Sequence, residues 1–223
     1  MRRFGAHFTP EQRVLDIGCG HKPYQHFFEC EYLGLDASSN SAADQIGDAA
    51  RLPWPAAHFD GVIMNQSLEH IADTKAAVAE VKRVLKPGGY ALITVPQTMK
   101  NHSTAQPAAA APVTNFDASK EPYWRVDYWR FTKFGLMYLW REFDVHWIAP
   151  SNGYASTLVQ LLLYWLASFG FNALLAPLYA VLNLLGLTLD WLFHSVGIAA
   201  PKFKHFVDST LTINYLMVIK KHG

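Results

Sequence analysis

The chain has 223 residues, enough for one ordinary domain with a sizeable core. Hydrophobic residues make up 51%, charged residues 17%, and the formal net charge is +1. That near-neutral balance supplies no global field for nucleic acid, so no nucleic-acid partner is expected.

In chain order, Met1-Arg2-Arg3-Phe4-Gly5 has two arginines but no apolar run after them, so it does not read as a secretory signal. Val14 to Ile17 is a short apolar run that ends in Gly18-Cys19-Gly20, a buried strand followed by a tight turn. Tyr32-Leu33-Gly34-Leu35-Asp36 is a second strand ending in an acid, and Asp60 to Asn65 is a third. Ala76 to Leu85 places Ala77, Val78, Val81, Val84 and Leu85 on one helical stripe, with Lys82 and Arg83 outside it. Lys86-Pro87-Gly88-Gly89 is expected to stop that helix, and Tyr90 to Val95 to form another buried strand. Strands alternating with helices imply a parallel sheet covered on both faces.

Asn101 to Lys120 has the composition of a loop, readable as a connection or as an active-site lid. Thr132 to Arg141 predicts a helix with Thr132 as N-cap, Phe143 to Ile148 a strand, and Thr210 to Ile219 a final strand. From Val145 to Leu189 there is no Asp, Glu, Lys or Arg. Within that stretch Tyr154 to Phe171 is helical in pattern, and Ala173 to Leu189 continues it with Pro177 and Gly186 as interruptions. Its length approaches the 17–25 residues of a spanning helix, but Gln160 and Ser168 interrupt it. Three readings stand: a membrane-docking helical hairpin, a soluble cap or homodimer interface, and a two-span hairpin. Trp165 and Trp191 suit a membrane interface or an ordinary core. Lys202, Lys204, Lys220 and Lys221 suit anionic head groups or a solvated basic end. The only cysteines, Cys19 and Cys30, give no disulfide framework and fit a reducing cytoplasm.

The glycine turn lets backbone approach a ligand closely, and the N–H groups of a helix N-terminus there suit a carboxylate or a phosphate. Asp36, at the end of the next strand, has the place of an acid that accepts from both ribose hydroxyls, or alternatively of a turn or helix N-cap aspartate. The positions after Gly20 are His21-Lys22-Pro23, which departs from the G-x-G-x-x-G of nicotinamide dehydrogenases. No His, Cys or Asp cluster has metal-ligand spacing, so no metal is expected.

Four stretches carry a resemblance: VLDIGCG (14–20), YLGLDAS (32–38), GDAARLPWPAAHFDGVIMNQSLEHI (47–71) and VKRVLKPGGYALITVP (81–96). In these the chain resembles the class I S-adenosylmethionine (SAM)-dependent methyltransferases, in particular the type 11 group that includes quinone-biosynthesis enzymes. The resemblance implies an α/β fold: a Rossmann-like, doubly wound, mostly parallel sheet with a final antiparallel strand. The apolar helices of 154–200 are then an insertion before the last strand, within a single domain of residues 1–223.

The resemblance also implies roles. Asp16, Gly18, Cys19 and Gly20 surround the methionine part of SAM, and Asp36 holds the ribose. Asp48 and the Ala49 backbone sit at the adenine amino group. Asn65 lies near the reactive sulfonium with Gln66 beside it, and Glu69-His70 matches the family's Leu-Glu-His stretch. Lys22 stands where many members have a small residue, and the stretch between Asp36 and Gly47 is too short for the usual helix. With few residues before Val14, the substrate cap is expected from 101–130 and the apolar segment. Asp127-Tyr128-Trp129-Arg130-Phe131-Thr132 resembles a motif of methyltransferases from cell-surface saccharide and lipid clusters; Trp129 and Phe131 read alternatively as core aromatics.

A sulfonium methyl is already activated, so alignment is the main task. A hydroxyl acceptor would also need a base, with His70, His102, Asp127 and Tyr128 as candidates. The expected function is methyl transfer from SAM to a small-molecule, lipid or lipid-linked saccharide acceptor. The expected place is the cytoplasm, at the inner face of a membrane if 154–200 makes peripheral contact with it. The alternative is a non-catalytic SAM-fold partner of another membrane enzyme.

Overall fold

A computed structural model describes residues 1–100, 126–167, 172–199 and 212–223. Its strands are β1 (Arg13–Ile17), β2 (Glu31–Asp36), β3 (Gln45–Ile46), β4 (Phe59–Asn65), β5 (Leu85–Pro96), β6 (Asp144–Pro150) and β7 (Asn214–Lys220). Its helices are α1 (Arg2–Gly5), α2 (Thr74–Val84), α3 (Lys133–Leu139), α4 (Tyr154–Ala167) and α5 (Asn172–Ala199), with single 3-10 turns at Gln25–Phe27 and Leu68–His70. The strands form one sheet in the order β3-β2-β1-β4-β5-β7-β6. Strands β3 through β5 are parallel. Strand β7 runs against β5: Gly88 N–H bonds Lys221 O at 3.0 Å and Lys221 N–H bonds Gly89 O at 2.9 Å. The doubly wound, mostly parallel sheet with an antiparallel final strand is therefore as the sequence predicts.

The chain divides into two compact units, each described by itself: Met1–Val95 with 102–148 and Leu216–Gly223, and Pro96–Asn101 with Ala149–Tyr215. In the first unit, Val14, Leu15 and Ile17 of β1 and Val62, Ile63 and Met64 of β4 are all buried. Consecutive residues are buried because both faces of a central parallel strand are covered. The helical stripe of α2 closes one face, and Asp73 caps the helix, accepting from Ala76 N–H at 3.0 Å. On the other face Phe4 packs edge-on to Phe8 at 5.1 Å, and Phe28 lies 5.1 Å from Tyr32, over Val14, Ile63 and Leu92. Burying one such ring is worth about 1.5–3 kcal/mol, so the short N-terminal helix is held by its aromatic residues.

The helix stops before Lys86-Pro87-Gly88-Gly89 as expected, and the strand expected from Tyr90 already begins at Leu85. The chain bends there through Gly88 at φ 76°, and the backbone still pairs with β7. Lys221 does not meet head groups; its Nζ donates to the carbonyls of Lys82 and Leu85 at the end of α2. Lys202 and Lys204 lie outside the described residues. Thr132 caps α3 as expected, accepting from Gly135 N–H at 3.1 Å, and the stretch after β2 holds a turn, bends and the short β3 in place of a helix.

In the second unit, α4 and α5 form an antiparallel hairpin. Neither Pro177 nor Gly186 interrupts α5, which runs 28 residues. Pro177 removes one hydrogen bond close to the helix start. Gly186 is a contact point: a methyl group there would lie 2.9 Å from Ser156 Cα of α4. Asp190, the first charge after the charge-free stretch, reaches back to the N-terminus of α4. Its carboxylate accepts from Gly153 N–H at 3.1 Å, Ala155 N–H at 2.8 Å, Ser156 N–H at 3.2 Å and the Ser156 hydroxyl. Three orphan amides and the positive end of the helix dipole are thus met by one side chain. The outer faces are apolar and uncovered among the described residues: Leu184 is 67% and Trp191 68% exposed, with Leu158, Leu162, Trp165, Val181 and Leu187 also exposed. No helix among the described residues is long and apolar enough to cross a membrane.

Asp190→Ala is expected to destabilise the start of α4 by about 1–3 kcal/mol. The measurement is amide hydrogen exchange at Ala155 and Ser156. Exchange should quicken there while β1 and β4 stay protected; unchanged protection at both amides would refute the cap.

Candidate functional site

Parallel pairing brings the C-terminal ends of β1, β2 and β4 side by side, with Ile17 opposite Leu35 and Asp16 opposite Ile63. Beyond Ile17 the chain turns at Gly18, with φ 77°. A Cβ at residue 18 would sit 2.5 Å from Ser67 Cβ, so no side chain fits there. Gly18 and Cys19 both donate to Leu35 O, at 2.8 and 3.2 Å. Asp36 accepts from Gly20 N–H at 2.9 Å through one oxygen and from Ser38 N–H at 2.8 Å through the other. The carboxylate is fixed at the strand end and keeps lone pairs for further donors.

A cleft of about 210 Å³ opens between these ends, lined by Gly18, Asp36, Ala49, Gln66, Ser67 and His70 among others. It is smaller than the ~300–1,000 Å³ usual for ligand pockets. A larger cavity of about 730 Å³ lies among Phe4, Phe8, Tyr90, Trp147, Leu216 and Val218. None of the residues assigned to the cofactor from the sequence lines it, so size is the poorer guide. Two buried acceptors in the small cleft, Gln66 Oε1 and Ser67 Oγ, have no partner among the described residues. A ligand rich in hydroxyl and amino donors fits them.

Of the residues singled out in the sequence, Gly18, Asp36, Ala49, Gln66 and His70 line the cleft. Asp16, Cys19, Gly20 and Asn65 stand at the same strand ends without lining it. Asp48 is exposed beside Ala49, and its side chain closes a turn onto Ala50 N–H at 2.8 Å. Lys22 is turned away: its backbone is left-handed at φ 53° and its ammonium pairs with Asp44. Asp127 is gripped by Arg130 through both oxygens, one at 2.6 Å, and neither it nor Tyr128 lines the cleft. His102 and the expected lid of 101–120 lie outside the described residues. Among the described residues no three His, Cys, Asp or Glu side chains converge as metal ligands would.

The segment after 125 is stitched to the 3-10 turn. Tyr128 and Trp129 N–H donate to Glu69 O at 2.8 and 3.2 Å, and Trp129 Nε1 donates to Ile71 O at 2.9 Å. Trp129 is thereby an edge residue held by its nitrogen, not a core aromatic. His70 Nδ1 lies 2.8 Å from Val126 O. A carbonyl only accepts, so Nδ1 carries a proton. Glu69 is wholly buried with neither oxygen partnered among the described residues. Burial pushes its carboxyl up to about 7, and the nearby Asp127 adds to the rise. The sequence reading also missed Tyr24 and Thr94, which bond to Asn65. Thr94 was visible as the one threonine in an apolar strand; nothing local marked Tyr24.

A family model described as a methyltransferase domain matches residues 15–93. Over that stretch the chain is similar to SAM-dependent methyltransferases. It is 31% identical over 106 residues to a demethylmenaquinone methyltransferase of Symbiobacterium thermophilum, covering 38% of this chain and 42% of that one. It is 37% identical over 100 residues to a fatty-acid O-methyltransferase of Mycolicibacterium smegmatis, covering 37% and 36%. The chain thus spans about two fifths of the length of these curated relatives. Its fold is similar to phosphoethanolamine N-methyltransferase 2 of Haemonchus contortus, solved in complex with SAM, with a TM-score of 0.56. That match has 20% identity and covers 100% of this chain and 51% of the other. SAM is the cofactor of this domain class, and the glycine turn, the Asp36 carboxylate and the two orphan acceptors fit it.

Asp16 is 1% exposed and accepts the Tyr32 hydroxyl. Burial raises its pKa from 3.8 to about 6, with the Tyr32 hydrogen bond opposing and Asp36 adding to the rise. The fold therefore favours the protonated acid. Its contribution to stability is full below pH ~4 and is lost as pH rises through about 6. Asn cannot ionise and still accepts from Tyr32. Asp16→Asn should match the parent near pH 4 and exceed it by roughly 1–3 kcal/mol at pH 8. Denaturant unfolding at both pH values measures this, and a difference that does not change with pH would contradict it.

Proposed function

We propose that the protein transfers the methyl group of SAM to a hydroxyl of a lipid or lipid-linked saccharide, working at the cytoplasmic face of a membrane. The single observation that carries the transfer reading is the cleft where Asp36, the Gly18 turn and His70 meet. In that reading Asp36 accepts from the ribose hydroxyls, the Gly18–Gly20 backbone receives the methionine part, and Ala49 and Gln66 border the adenosine. When bound, SAM supplies an electrophilic methyl on a cationic sulfur. His70, with Nδ1–H committed to Val126 O, offers Nε2 to remove the acceptor's proton. Asp127, held by Arg130, serves better as an anchor of the 126–130 segment than as a base. Tyr128, through its N–H to Glu69 O, belongs to the same anchor.

The acceptor class rests on two supports. Relatives that share about 100 residues with this chain are named for a fatty acid and for demethylmenaquinone, both apolar acceptors. The charge-poor hairpin exposes a row of large apolar side chains beyond what a solvated surface usually carries. An interfacial position suits helices that do not span.

One experiment tests the whole reading. Vesicles of lipid extract from the source cells are incubated with the protein and methyl-labelled SAM, then floated. Protein and label should rise together. A Leu184→Asp/Trp191→Asp variant should leave the protein below, and His70→Ala should float with labelling reduced about 10²-fold or more. Protein that floats and binds SAM but labels nothing would favour a non-catalytic partner. Label confined to water-soluble metabolites would remove the lipid acceptor, and protein that stays below would remove the membrane contact.

A further inference from the structure

A groove of about 650 Å³ runs between α2 and the segment that leads from α3 into β6, within the first unit. It shares no lining residue with the cleft at the strand ends. Lys75, Lys82, Arg83, Arg141 and Lys221 line it, against a single carboxylate among the described residues, Glu142. Its apolar floor comes from Val78, Leu139 and Phe143. Lys75 and Lys82 stand two turns apart on α2, about 10 Å along the axis. The groove is therefore long enough for a molecule with two unlike ends, and its volume is that of an ordinary ligand site.

Two of these cations are already paired. Arg83 is held by both oxygens of Glu80 and by the carbonyls of Leu52 and Trp54. Lys82 meets Glu142 at 2.5 Å, in a pair so exposed that it holds loosely. Lys75, Arg141 and Lys221 pair with no carboxylate among the described residues. Arg141 lies over the Tyr138 ring, 4.5 Å from its centre, and gives one N–H to Tyr138 O, which leaves most of its donors. The Lys221 ammonium is half-buried and sends protons to Lys82 O and Leu85 O at 2.5 and 2.6 Å; its third proton has no partner among the described residues. Burial, with the Lys82 ammonium nearby, holds its pKa below the ordinary lysine value. A cation drawn from water and set beside a second cation is costly unless an anion joins it.

We infer that this groove binds a soluble organic phosphate, with the phosphate among Lys82, Arg141 and Lys221 and the apolar body over Val78 and Leu139. Several cations call for more than one negative charge. A phosphate monoester carries close to two, on three oxygens that accept from several donors at once. A carboxylate carries one. The arginine fork matches phosphate geometry, and lysine adds point charges. Lys221 also covers the last carbonyls of α2, so the negative end of that helix does not repel the anion. Because Lys221 is recessed, a small molecule that enters the groove reaches it and a flat lipid surface does not. The site is independent of the SAM reading, since it uses none of the cleft residues.

Titration of the full chain with naphthyl phosphate, inorganic phosphate and vesicles of phosphatidic acid tests the site. The naphthyl ester should bind at least about fivefold more tightly than inorganic phosphate, because only the ester covers the apolar floor. Arg141 and Glu142 are exposed, so variants at either should fold as the parent does. Arg141→Gln should weaken the ester about tenfold. Glu142→Gln releases Lys82 and should tighten the ester about two- to fivefold, a gain that misfolding does not imitate. No binding of the ester at ~0.1 M salt, or an ester no tighter than inorganic phosphate, would overturn the inference. So would ester affinity that either variant leaves at the parent's value. Vesicles bound where the ester is not would overturn it as well, and would assign the groove to a membrane surface.

Discussion

Where β1 ends, residue 18 and Ser67 approach so closely that a methyl group on residue 18 would overlap the Ser67 Cβ at 2.5 Å. Gly18 meets this with φ 77° and no side chain, and Gln66, just before Ser67, turns at φ 53°. Two left-handed residues on neighbouring strands thus direct both chain turns away from the strand ends and leave the cleft between them. The Asp36 carboxylate depends on the same turn, because one of its two backbone donors is the Gly20 N–H. The unmet acceptors of Gln66 and Ser67 depend on it as well. Strain and orphaned groups gathered at one place are what a binding site shows before its ligand arrives.

Charge is used sparingly and locally in this chain. Asp16 and Glu69 are buried carboxyls held toward their neutral forms, at about 6 and about 7. Both flank the strand ends around the cleft, and both would be cheaper to the fold as amides. Asp190 does the opposite task in the second unit, where a single carboxylate satisfies the first amides of α4. The hairpin therefore needs no charge on its outer faces, and those faces remain available to an apolar surface.

The parts legible in the sequence are those whose physics is local. The runs at 14–17, 32–36, 60–65 and 90–95 all lie in strands because buried parallel strands are contiguous in sequence. The α2 stripe and the Thr132 cap follow from periodicity and one side chain. Lys86 to Gly89 does end α2, but the strand read from Tyr90 starts at Leu85, because β7, more than 120 residues later, pairs with the glycines. Pro177 and Gly186 misled for a related reason: tolerance of a helix proline and close packing at a glycine are decided by position and neighbour, not by residue type. In the site, the glycine turn and Asp36 were readable as a motif. The bonds from Tyr24 to Asn65, from Val126 to His70 and from Trp129 to Ile71 join residues 41 or more apart, and no local pattern encodes them.

The central claim is that SAM is held at the C-terminal ends of β1, β2 and β4 and not in the larger cavity under α1. Backbone amide NMR during a SAM titration tests it most directly. The account predicts shifts concentrated at Gly18, Gly20, Asp36, Ala49 and Gln66, with Phe4, Gly88 and Leu216 left nearly still. Shifts centred on Phe4, Tyr90 and Leu216, or none at the glycine turn at saturation, would contradict it.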